Sequence, residues 1–76
     1  MLPPKTHPKW VPFIKGELQV TFKTVSGNML VSRISRNISN NNSPASIAAG
    51  LEEAYSFFTK YEPVFGDEIT KLFNQH

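Results

Sequence analysis

Residues 17–38 read Glu17-Leu18-Gln19-Val20-Thr21-Phe22-Lys23-Thr24-Val25-Ser26-Gly27-Asn28-Met29-Leu30-Val31-Ser32-Arg33-Ile34-Ser35-Arg36-Asn37-Ile38, and the stretch satisfies two periods at once. As strands, Leu18, Val20 and Phe22 alternate with Gln19, Thr21 and Lys23, and Ser26-Gly27 could close a hairpin onto Met29 and Val31. The β-branched and Ser/Thr content favours that reading locally. As helix, Leu18, Phe22, Val25 and Met29 recur at steps of four, three and four, and Val31, Ile34 and Ile38 follow as a second stripe. A lone hairpin is marginal in water. Since no other segment reads as a strand, a hairpin here needs a sheet completed by a second copy. The helical reading is preferred, although Gly27 inside a helix costs about 1 kcal/mol against Ala.

Working outward, residues 1–16 hold four of the six prolines, which withhold N–H groups and extend the chain before them. They read as a proline-rich arm with at most a short helical turn, closed by Gly16, whose apolar side chains are Trp10, Phe13 and Ile14. The asparagine-rich stretch 39–43 reads as a solvated turn. Residues 44–61 read as an amphipathic helix: Ser43 suits the N-cap, Pro44 the first position, and Ile47, Leu51, Ala54/Tyr55 and Phe58 share a face. Pro63 is expected to stop it, and 67–75 to form a last helix with acids at its positive end. The expected fold is a single, mostly α domain, a small bundle of three to four helices. The alternative is an α+β domain with a hairpin at 17–34 and two C-terminal helices, completed by dimerisation.

The charge is lopsided. Up to Arg36 there are six cations and one acid, or +5; from Asn37 there are five acids and two cations, or −3. The two halves can pair internally or across a contact between molecules. Seventy-six residues bury a thin core, and small folds are commonly stapled by disulfides, metals or a partner subunit. There is no cysteine, and His7 and His76 lie at opposite ends, so neither a disulfide framework nor a metal site is expected. No apolar run reaches the ~18–20 residues of a membrane span, and Met1 to Lys5 has no signal-like apolar core, so the expected setting is the cytoplasm.

Catalysis is not expected, and no cofactor is implied. The adjacent pairs Glu52-Glu53 and Asp67-Glu68 point about 100° apart on a helix and do not converge on one proton or metal. The glycines are isolated, the serines occupy no nucleophile elbow, and no phosphate-cradling loop is present. The composition fits a non-enzymatic protein–protein interaction module or accessory subunit, expected to self-associate as a homodimer or to bind a partner protein. Aromatic residues are favoured anchors, which nominates Trp10, Phe13, Phe22, Tyr55 and Phe58 for its contact surface. A second reading uses Lys9, Lys15, Lys23, Arg33 and Arg36, interleaved with aromatics, to bind nucleic acid. It lacks any recognisable fingerprint.

Overall fold

Thr24 settles the ambiguous stretch. Its backbone is extended (φ −107°, ψ 147°), and its hydroxyl accepts the Gly27 N–H at 3.4 Å, so the helix begins at Val25. In the computed structural model, which describes residues 2–75 (residue 75 by its backbone alone), the chain forms α1 (Trp10–Ile14), α2 (Val25–Asn40), α3 (Pro44–Lys60) and α4 (Glu62–Gln75), with no strand among the described residues. The domain is a small helical bundle, and the α+β alternative is not supported.

Residues 17–24 are neither strand nor helix. The side chain of Asn28, one turn into α2, does what a ladder would have done: Phe22 N–H donates to its Oδ1 at 2.9 Å, and its Nδ2 donates to the carbonyls of Phe22 and Thr24 at 3.1 and 3.2 Å. With those backbone groups satisfied, the segment needs no strand partner. It serves as a crossover that delivers Phe22 to the core. The expected helical stripe Leu18, Phe22, Val25 and Met29 is not formed: the first two precede the helix, the last two are exposed, and Gly27, Leu30, Ile34 and Ile38 face inward instead.

Two other boundaries differ from expectation. α2 runs through Asn40, so the turn is confined to residues 41–43. There Ser43 caps α3, accepting the Ser46 N–H at 3.1 Å, with Pro44 first in the helix. The last helix starts at Glu62 rather than Asp67, because Pro63 falls in its first turn, where a missing N–H costs nothing. The chain turns at Tyr61, whose carbonyl accepts the N–H groups of Val64 and Phe65.

The chain leaves α1 through Gly16, whose φ of +79° suits a residue without Cβ. The arm lies on the bundle: Leu2 is buried, Trp10 Nε1 donates to the Pro3 carbonyl at 3.3 Å, and the His7 ring stands 5.2 Å from that of Phe73. His7 Nδ1 accepts the Lys9 N–H at 3.1 Å, which places the proton of its neutral ring on Nε2. Trp10, Phe13 and Phe58 are 0 % exposed at the centre of a connected aromatic cluster that includes Phe22, Phe65 and Phe73. Most of its contacts are edge-on, the arrangement ring quadrupoles favour. Among the described residues no buried side-chain polar atom lacks a partner, and no helix is long and apolar enough to cross a membrane.

Candidate interaction groove

α2 and α3 form an antiparallel pair pinned near their connecting turn. A Cβ on Gly50 would lie 3.0 Å from Ile34 Cγ2 and 3.2 Å from Ile38 Cδ1, so the small residue permits the close approach there. Away from the turn lies an open groove of about 840 Å³, walled mostly by α2, with Glu53 and Phe57 from α3. Leu30 and Phe57 contribute its apolar floor, and Val25, Met29, Arg33 and Arg36 line it from α2.

Sequence spacing explains this wall. Positions 25, 29, 32, 33 and 36 fall within one arc of a 3.6-residue helix, opposite Gly27, Ile34 and Ile38. The stripe is apolar at its N-terminal end and basic at its C-terminal end. Val25 is 72 % exposed and Met29 65 %, the most exposed large hydrophobics of the described chain. Phe57, half-buried, extends the apolar surface across to α3, its ring centre 5.0 Å from that of the exposed Tyr61.

The groove is electrostatically one-sided. Its carboxylate, Glu53, is taken up by Arg33 across the groove. Arg36 has no hydrogen-bond or ion-pair partner among the described residues. Elsewhere Lys15 pairs with Glu17 at 3.5 Å and Lys5 with Glu52 at 2.7 Å. The hydrogen bond to Glu52, then its charge, raises the Lys5 pKa above its ordinary value. Two of these pairs, Lys5–Glu52 and Arg33–Glu53, join the basic half of the chain to the acidic half within one molecule.

The residues nominated from sequence are distributed otherwise than expected. Trp10, Phe13, Phe22 and Phe58 are buried in the core. Their size reflects the packing of this chain's own interior. Tyr55 is half-buried, edge-on to Trp10 at 5.7 Å, with Lys5 Nζ 5.5 Å from its ring centre. Of the five cations, Arg33 and Arg36 meet in the groove; Lys9 lies just before α1 beside His7, Lys15 is engaged by Glu17, and Lys23 sits exposed in the crossover.

Sequence reasoning missed Val25, Met29 and Phe57. The usable signal was Thr24 as N-cap: a helix begun there turns Val25 and Met29 away from Ile34 and Ile38. Among the described residues no cluster of three or more His, Asp or Glu could hold a metal ion. No protein-family model, curated protein or solved structure matches the chain.

Proposed function

We propose that the chain is a non-enzymatic protein–protein interaction module whose contact surface is the groove between α2 and α3. The observation that carries the reading is the placement of Val25 and Met29. A chain that encloses its largest aromatics leaves two big aliphatic side chains in water, four residues apart, beside a groove floored by Leu30 and Phe57. Exposed apolar surface gathered at a concavity with a polar rim is how association sites differ from scattered surface hydrophobics. Self-association is a second use of the same surface. It is the less needed of the two, because Trp10, Phe13 and Phe58 are already covered within one chain. Nucleic-acid binding draws less support: Lys15 and Arg33 are engaged by carboxylates, as is Lys5.

Native mass spectrometry of the protein purified from its own host, beside its Val25→Ser/Met29→Ser variant, tests the reading. The wild type should carry a second protein that the variant has lost, while the two melt at the same temperature. A bare monomer in both preparations, or a complex indifferent to the substitutions, would refute it.

A further inference from the structure

We infer that the occupant of the α2–α3 groove is an acidic amphipathic helix from another protein, its apolar stripe on Val25, Met29 and Phe57 and its carboxylates over Arg36. This rests on the groove being a contact surface and adds the chemistry of what fills it. Three observations select that chemistry.

The first is the absence of a strand among the described residues. Recognition by strand addition needs a sheet edge, whereas a groove between two helices takes the side chains of a third helix laid along it. The wall from Val25 to Arg36 spans eleven residue steps, or about 16 Å at 1.5 Å per residue, which three turns of a docked helix match.

The second is the order of chemistry along the wall. Val25 and Met29 come first, Arg33 and Arg36 after them, and α2 carries no acid. A complementary helix has its apolar anchors at one end of the contact and its acids at the other, so the charge sets direction as well as affinity. With Glu53 committed to Arg33, Arg36 is the guanidinium left to meet an incoming carboxylate, in a fork geometry suited to it.

The third observation concerns a second copy. A two-fold contact would lay Val25 and Met29 of one copy on those of the other, but α2 carries no acid and so brings no carboxylate to Arg36. The other apolar faces, Leu30, Ile34 and Ile38 of α2, Ala54 and Phe58 of α3, and Phe65, Ile69 and Phe73 of α4, are buried. The outer side of α4 offers one large apolar residue, Val64, with Asp67 but also Lys71 exposed nearby. That face is a poorer match to an apolar-then-basic wall than a dedicated acidic helix.

The test is a fluorescence-anisotropy titration of the full chain with a synthetic helical peptide of about four turns, bearing Leu on one face and Glu on its flanks. A twin with every Glu replaced by Lys is titrated alongside. The acidic peptide should bind at least about tenfold tighter than the twin, and added salt should narrow the gap. Arg36→Glu should reverse the preference, and Met29→Ser should weaken both peptides, with the melting temperature unchanged in each variant.

Equal binding of the twins, abolished by Met29→Ser, would overturn the acidic assignment and leave the groove as a contact surface. Binding of neither peptide up to about 1 mM would also overturn it. If the host-purified protein were then a homodimer that Met29→Ser dissociates, the occupant would be a second copy. If it were a bare monomer, the contact-surface reading would fall as well.

Discussion

The aromatic centre and the α2–α3 groove both gather large apolar side chains and end in opposite situations. At the centre, Trp10, Phe13, Phe58 and Phe65 are supplied by α1, α3 and α4, with Phe22 from the crossover, and each ring covers another. At the groove, Val25 and Met29 have water where a neighbouring helix would be. The difference is one of supply. Four short helices and an arm enclose one aromatic cluster, and nothing in the described chain is left to cover the outer face of α2. Large apolar residues therefore mark either a closed interior or an open face, and only their position on the helix separates the two.

The sharpest way to break the contrast is at the centre. Trp10→Ala or Phe13→Ala should cost about 3–5 kcal/mol in urea denaturation. The whole stability of a chain this size is roughly 4–11 kcal/mol at 0.05–0.15 kcal/mol per residue. Either variant should therefore lose a large share of that stability, and a loss below about 1 kcal/mol would show that these rings are not core.

Glycine substitutions sharpen the same contrast. A Cβ on Gly27 would meet Phe65 Cε1 at 2.8 Å and the Phe22 ring at 3.1 Å, and both rings are buried. Gly27→Ala should lose about 1–3 kcal/mol despite better helix propensity. At Gly66 the nearest atom is Glu62 Cγ at 3.0 Å, on a half-buried, long and flexible side chain rather than a buried ring. Gly66→Ala should stay within about 1 kcal/mol of wild type. Parallel thermal melts should separate the pair; equal melting temperatures would contradict the packing at Gly27.

The groove should respond least. Val25→Ser and Met29→Ser should each change stability by no more than about 0.5 kcal/mol, since both side chains are solvated. Glu53→Gln should be smaller than about 1 kcal/mol, and its effect should shrink in salt, because the Arg33 pair lies on the surface. A loss above about 2 kcal/mol at Met29 would place that side chain in the core and remove the contrast.

Much of the fold is legible in the residues. Ser43-Pro44 announces α3 through a cap and a first-turn proline, and both work as read. The stripe Ile34 and Ile38 faces inward as its spacing implies. What misleads is side-chain and turn chemistry that periodicity does not report. Nothing local says that Asn28 will satisfy the backbone of Phe22 and free residues 17–24 from both helix and sheet. Pro63 has the same character, being able to stop one helix or start the next; the turn at Tyr61 decides between them. The aromatics are the hardest to place, because large aromatics carry the same signal in a core as at an interface. Arg33 and Arg36 were legible as neighbours on one face, whereas the commitment of Arg33 to Glu53 depends on how α3 folds back.

The most direct measurement is residue-resolved NMR mapping of the acidic helical peptide onto the isotope-labelled chain. Shifts concentrated at Val25, Met29, Arg33, Arg36 and Phe57, with Trp10, Phe13 and Phe58 unmoved, are the expected result. Perturbations centred on the aromatic cluster, or none anywhere as the peptide is raised, would contradict the division between a closed centre and an open groove that binds.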